Sequence, residues 1–397
     1  MPIANQMIPW VESFSMVKKM FEEGARLKAE YGDDKVFDFS LGNPDVPAPA
    51  QFKQVLRKLV ERESTGHGYT PNSGFPAVRQ AVADYLSDEY GLGITPELII
   101  MTAGAAGALT GTLKALINPG EEILVPEPYF LGYQHYAFNT NAIIKTAATD
   151  DRFHLDLKAI RAGISEKTRV MLINSPNNPT GAIYSADELA GLGALLEKAG
   201  KQYGRRIYLI SDEPYRKIAY GVKVPSVFAA YAHTIVVNSY SKSLSLAGER
   251  IGYLVIHPKA EDAHQIIAAA EVANTMLYVN APSLFQQAVA QVQGVSVDIS
   301  VYRRRRDMLC RILAEAGYEF QIPEGAFYLF PKSPIPDDVA FVGILADELI
   351  LAVPGTAFGA PGHFRLSFAV PESTISGSLA GFRQGLERSI ADQRGGQ

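Results

Sequence analysis

The chain has 397 residues, 47% of them apolar, with a formal net charge of −5; this allows one large core and a smaller second one, and favours neither nucleic acid nor an anionic membrane as partner. A single cysteine, Cys310, excludes an intramolecular disulfide and fits a reducing compartment. No run reaches the length of a membrane span, and no basic segment leads into a continuous apolar one near the start, so the expectation is a cytoplasmic protein.

Apolar residues Phe14, Val17, Met20, Phe21 and Leu27 fall at helical spacing and predict an N-terminal helix ending at Tyr31-Gly32. Val36 to Leu41 reads as a short strand running into Leu41-Gly42-Asn-Pro-Asp45, where the glycine either permits close approach to a ligand or simply makes a turn. A helical pattern over 52–62 and a second over Pro76–Tyr90 flank the loop Gly66-His-Gly-Tyr69-Thr-Pro-Asn-Ser-Gly74.

From residue 98 onward, short apolar runs alternate with turns and helical stretches. The runs are 98–101, 123–125, 143–145, 170–173, 207–210, 235–237 and 251–256. Such alternation predicts an α/β fold with a mostly parallel sheet covered on both faces, and ligands of such sheets bind beyond the carboxyl ends of the strands.

The turns that leave these runs are therefore where functional groups are expected. The first run leads into Gly104-Ala105-Ala106-Gly107, small residues opening a helix, either a phosphate cradle of free N–H groups or a site of tight helix packing. The second leads to Tyr129, an aromatic ring able to lie on a heterocycle, and the fourth to Asn174-Ser-Pro-Asn-Asn178-Pro-Thr-Gly181. The fifth ends in Ser211-Asp212-Glu-Pro-Tyr215, and the sixth in Ser239-Tyr-Ser-Lys242, with Arg250 eight residues on.

A lysine at the mouth of a sheet loses its proton readily and forms a Schiff base with a carbonyl compound, and an arginine among hydroxyls suits a phosphate. The combination indicates pyridoxal 5'-phosphate (PLP). Its ring nitrogen needs a carboxylate, for which Asp212 is the candidate; its phenolic oxygen needs donors, from Tyr215 and Asn178; its phosphate needs Arg250, Ser239 and the backbone of 104–106.

The chain resembles the class I/II aminotransferases of PLP fold type I, the aspartate aminotransferase superfamily, over nearly its whole length. The motifs Asn178-Pro-Thr-Gly, Asp212-Glu-Pro-Tyr215, Ser239-x-Ser-Lys242 and Gly248-Glu-Arg250-Ile-Gly stand in the family's order. Pro323-Glu-Gly-Ala-Phe-Tyr328, Pro354-Gly-Thr-Ala-Phe-Gly359 and Phe364-Arg365-Leu-Ser-Phe-Ala369 add to them. The resemblance implies a large domain over 46–285 with a seven-stranded sheet, and a small α+β domain from 1–45 and 286–397. It implies that Arg365 grips the substrate α-carboxylate, helped by Gly42 and Asn178, and that Tyr129 stacks on the cofactor. It further implies that Tyr69 reaches the phosphate of a neighbouring subunit in a homodimer with shared sites. Ala106 departs from relatives that carry a hydroxyl or amide there.

The implied reaction is ping-pong transfer of an amino group from an L-amino acid to a 2-oxo acid such as 2-oxoglutarate, with aspartate-type or broad specificity. Lys242, Asp212 and Tyr215 form the catalytic set. The same residues also serve carbon–sulfur β-lyases, because the shared carbanion can eject a β-substituent. A PLP-binding regulator without turnover is the other reading, but residues 1–40 are too short and wrongly patterned for a DNA-binding domain. Arg303 to Arg306 spread around a helix and predict solvated faces and ion pairs. The seven histidines show no metal spacing, so no metal is expected.

Overall fold

The computed structural model describes residues 2–62 and 67–395, with the side chains of 12–21 and 392–395 outside that description. Gly66 of the expected loop lies outside it, as do the apolar side chains of Phe14, Val17, Met20 and Phe21 and the side chains of the tail from Asp392. The backbone of the N-terminal helix is described and runs Ile8–Tyr31.

Among the described residues there are twelve strands, in chain order β1 (Phe37–Asp38), β2 (Ile99–Thr102), β3 (Glu122–Glu127), β4 (Ile143–Ala148), β5 (Thr168–Asn174), β6 (Tyr208–Asp212), β7 (Thr234–Ser239), β8 (Gly252–Ile256), β9 (Tyr328–Leu329), β10 (Ile350–Leu351), β11 (Val353–Pro354) and β12 (Phe364–Ser367). Seven of them form the central sheet in the order β2-β8-β7-β6-β5-β3-β4. Within it only β8 runs against the others, so the sheet is mostly parallel, as its sequence pattern predicts.

The apolar runs are continuous because both faces of the sheet are buried. Met171, Ile173, Leu209, Val236 and Val255 point to one face, under helices Pro76–Tyr90 and Ala186–Tyr203. Their neighbours Leu172, Tyr208, Ile210, Ile235, Val237 and Leu254 point to the other, under helices Gly104–Leu116 and Ala263–Tyr278. Helix boundaries follow local chemistry: Pro76 sits in the first turn of its helix and Gly91 closes it in the left-handed conformation. Ser185 and Glu188 cap the start of the next with reciprocal hydrogen bonds.

A further core joins the two ends of the chain. Phe39 packs 5.9 Å from Phe382, β1 pairs with β10, and the Ser367 amide donates to the Phe39 carbonyl at 2.8 Å. Helix Ile299–Ala316 and strands β9 and β12 complete it.

Two expectations need correcting in detail. The strand read over Val36–Leu41 shrinks to Phe37–Asp38, because beyond Phe39 the carbonyls of Ser40 and Gly42 are taken by side chains, Ser40 O accepting from Arg365 and Gly42 O from Lys242. The helix expected over 52–62 spans Ala50–Val60. The arginine run divides into solvated faces and ion pairs as expected: Arg303 and Arg304 are exposed, Arg305 reaches Asp45 at 2.7 Å and Arg306 reaches Asp307 at 2.7 Å, with its guanidinium 4.6 Å over the Tyr220 ring. Among the described residues no helix is long and apolar enough to cross a membrane.

Candidate active site

The strand register brings the chemistry to one edge. Asn174 at the end of β5 is level with Asp212 at the end of β6, Asp212 is level with Val237 of β7, and Ser239 is level with Gly252 at the start of β8. Because β8 is antiparallel, Arg250, which precedes it, arrives at the same edge as the carboxyl ends of its neighbours.

Asp212 is buried, and its Oδ2 accepts a hydrogen bond from the Tyr133 hydroxyl at 2.8 Å. Its Oδ1 is buried with no partner. Burial pushes the carboxyl up to about 7; the Tyr133 hydrogen bond opposes this and the charge of Glu213 adds to it. A buried oxygen of this kind is costly unless something donates to it.

Asp212 and Arg365 are tied through two amides. Asn174 Nδ2 donates to the Asp212 carbonyl at 2.8 Å, the Asn178 amide donates to Asn174 Oδ1 at 2.7 Å, and Arg365 Nη1 donates to Asn178 Oδ1 at 3.2 Å. Arg365 Nη2 donates to the Ser40 carbonyl at 2.7 Å, and its Nε is buried without a partner. The guanidinium lies between two rings, 4.7 Å from Tyr328 and 4.8 Å from Phe358. Burial lowers its proton affinity without neutralising it.

Lys242 stands in a helical turn, Tyr240–Ser243, where the sequence suggested a loop. Its Nζ donates to the Gly42 carbonyl at 2.8 Å and lies 5.4 Å from the Phe327 ring centre and 5.9 Å from that of Tyr215. Burial, reinforced by the charges of Arg365 and Arg250, brings its ammonium down to about 8. The Tyr215 and Tyr328 hydroxyls share a hydrogen bond of 2.8 Å, and burial raises the Tyr215 phenol well above its ordinary value.

The cradle lies opposite. Helix Gly104–Leu116 starts without a side-chain cap, so its first N–H groups, at Gly104, Ala105 and Ala106, are free of any capping side chain. Gly104 has φ +72°, and a Cβ there would lie 2.8 Å from Arg250 Nη2. The Arg250 guanidinium donates to the Ala247 carbonyl at 2.9 Å. Ser239 is buried at the end of β7. The Tyr129 ring stacks on Tyr133, centroids 6.4 Å apart and 8° from parallel. Tyr69 is 89% exposed on the surface of the chain.

This donor set fits PLP: the unpartnered Asp212 Oδ1 for a protonated ring nitrogen, Arg250 and the uncapped helix start for the phosphate, and the Lys242 amine for the aldehyde. Sequence reasoning missed Tyr133, which stands in the first turn of helix Gly132–Thr140, just beyond the loop that carries Tyr129. It also missed Asn174 and Tyr328, both inside quoted motifs, and the Ser40 carbonyl, which no side-chain pattern marks.

The family model described as Aminotransferase class I and II matches residues 34–379. The chain is 32% identical to the aspartate/prephenate aminotransferase of Thermus thermophilus over 363 residues, covering 88% of this chain and 91% of that one. Among solved structures, an amino transferase from Eubacterium rectale superposes with a TM-score of 0.94 at 38% identity, covering 98% of this chain and 99% of that one. The Thermus thermophilus aspartate aminotransferase with maleate superposes with a TM-score of 0.84 at 29% identity, covering 92% and 96%.

Proposed function

The chain belongs to the class I and II aminotransferase family and is a PLP-dependent aminotransferase, and we propose that it moves an amino group from an L-amino acid to a 2-oxo acid in two half-reactions at one site. What carries this reading is the convergence of Lys242, the unpartnered oxygen of Asp212 and the ring-sandwiched Arg365 on one sheet edge. These relatives do not favour the β-lyase and regulator readings.

Bound PLP supplies an electron sink for the substrate α-carbon. Asp212 would hold the ring nitrogen, Tyr215 and Asn178 the phenolic oxygen, and Arg250, Ser239 and the backbone of 104–106 the phosphate. Arg365 offers two parallel N–H groups to the substrate α-carboxylate, which would take the place now filled by internal acceptors. Lys242 Nζ, with a proton affinity brought near neutrality by burial, takes the Cα proton and gives it back within the same pocket. One base serving both directions gives ping-pong kinetics. The substrates read best as an aspartate-type or broad set of amino acids, in keeping with the names of the relatives, and 2-oxoglutarate is proposed as the acceptor.

The working unit is a homodimer in the cytoplasm, with Tyr69 of one subunit completing the phosphate site of the other. Support comes from the exposure of Tyr69 together with Val272, Met276 and Leu277 on helix Ala263–Tyr278, all apolar or aromatic and open in the single chain. The domains are read as 46–285 and as 1–45 with 286–397, in keeping with the separate cores. Packing of Ala288, Val289 and Val292 on the first core supports a second boundary a few residues later.

Mixing the PLP-loaded protein with single amino acids and following the cofactor's visible absorption tests the reaction: spectral change without any oxo acid supports it, and none with any amino acid refutes it. Hybrid dimers of Tyr69→Phe and Lys242→Ala chains test sharing, since only shared sites leave one site wholly intact.

A further inference from the structure

Asp212 ends β6 and Glu213 follows it, still tied to the sheet by its amide, which donates to the Val237 carbonyl at 2.9 Å; side chains along such a run alternate faces, so only one of these two consecutive carboxylates looks into the site. Glu213 looks away. It is 2% exposed, and its partners lie on the far side: Ser211 Oγ donates to Oε1 at 2.9 Å, Tyr90 Oη to Oε2 at 3.0 Å and Arg216 Nη1 to Oε2 at 3.3 Å. Arg216 is itself fully engaged. It donates to Glu89 Oε1 at 3.3 Å, to the Pro225 carbonyl at 3.1 Å and to the Val224 carbonyl at 3.3 Å, and lies 4.8 Å over the Tyr90 ring.

The segment Asp212–Arg216 is thus two-sided. Asp212 and Tyr215 serve the site, while Glu213 and Arg216 lock into the structure behind it. A small polar cavity there is bordered by Glu213, Arg216, Lys217, Ser239, Tyr240 and Ser243, so the same region also backs the turn that carries Lys242.

A buried ion pair is weak evidence of net stability, and its best-attested use is to fix register. At this position register has chemical content. A slip of one residue would turn Glu213 inward and take Asp212 out. Relying on the PLP reading above, we infer that Glu213, held by Arg216 and Tyr90, is a positioning residue for transamination: it claims the far side of the strand end and so commits Asp212 and Tyr215 to the cofactor. Glu213 also acts electrostatically on Asp212, which is faced in addition by Tyr133, Tyr136 and Tyr215. Glu213 in turn is faced by Tyr90 and Arg216, with Glu89 behind them.

The test uses the PLP-loaded protein and the variants Glu213→Gln and Glu213→Gln/Arg216→Met. The first keeps the shape of the side chain and loses the ion pair. The second removes both charges, so that neither is left buried alone, and it is read in place of the first should that variant not fold. Expected are a fall in kcat of about tenfold or more with KM for the amino acid within about twofold, and weaker PLP binding by equilibrium dialysis. In Glu213→Gln the pH at which the bound cofactor's visible band changes should also fall, because a nearby anion favouring protonation has gone while the Arg216 cation remains. A lower melting temperature with unchanged kcat, PLP affinity and band transition overturns the inference, as does failure of both variants to fold, since the pair would then be a stability element. Wild-type protein that binds no PLP would instead sink the aminotransferase reading and is seen before any variant is made.

Discussion

Tyr133 donates to one oxygen of Asp212 at 2.8 Å and leaves the other buried and unpartnered. Burial raises the carboxyl from 3.8 to about 7 in the cofactor-free fold. The folded value therefore lies above the unfolded one, so stability from this group is complete below about pH 4 and is lost as pH rises through 7. Linkage sets the loss at roughly 4 kcal/mol at most. Asp212→Asn apoprotein should melt above wild type at pH 8, with the gap closing toward pH 4. Loaded with PLP, the same variant should keep the cofactor yet lose about a hundredfold or more in kcat. Thermal melts with and without PLP, paired with turnover, measure both; near-normal turnover would mean that another group protonates the ring.

Arg365→Lys keeps a positive charge but not the planar fork, and the smaller head leaves the space between Tyr328 and Phe358 partly empty. kcat/KM should fall about a hundredfold or more for every amino acid and oxo acid alike. A loss confined to one substrate would make Arg365 a selector of side chains.

Gly104→Ala places a methyl 2.8 Å from the Arg250 guanidinium at a backbone φ of +72°, strained for any residue with a Cβ. PLP should bind about tenfold or more weakly, while substrate KM, measured at saturating cofactor, stays close to wild type. Equilibrium dialysis with PLP decides it. Unchanged affinity would show that the phosphate lies elsewhere.

Lys242 should carry the cofactor covalently. Borohydride reduction of the yellow protein followed by peptide mapping should place the label on Lys242, and Lys242→Ala should be colourless after dialysis. Label on Lys217, a second half-buried lysine whose ammonium burial also brings down to about 8, would redirect the chemistry behind the sheet.

The central strands were legible because burial on both faces leaves unbroken apolar runs, and the helix Pro76–Tyr90 because a proline and a left-handed glycine mark its two ends. Lys242 and Asp212 stood out because charged residues beside buried strands cost energy unless they have work to do, whereas Arg365 was marked only by the resemblance of its motif. Tyr133 did not, since a phenol on a short, partly buried helix reads like any core aromatic until its hydroxyl is seen to reach Asp212. The truncation of β1 was equally hidden. Nothing in Ser40 or Gly42 says that their carbonyls will face Arg365 and Lys242, because that contact depends on a segment 325 residues away for Ser40 and 200 residues away for Gly42.

That separation also orders the molecule in time. Asp212, Ser239, Lys242 and Arg250 lie within one stretch of chain, whereas Arg365 meets its acceptors only after the last strand is made and the two ends have closed. Closing the longest loop is among the slowest steps in assembling such a fold. During synthesis a chain emerging from the ribosome passes through a stage at which the cofactor's anchoring groups exist and the substrate's do not. The groups assigned to the ring and the phosphate are thus all translated before Arg365, and the grip on a substrate carboxylate waits for the strand Phe364–Ser367.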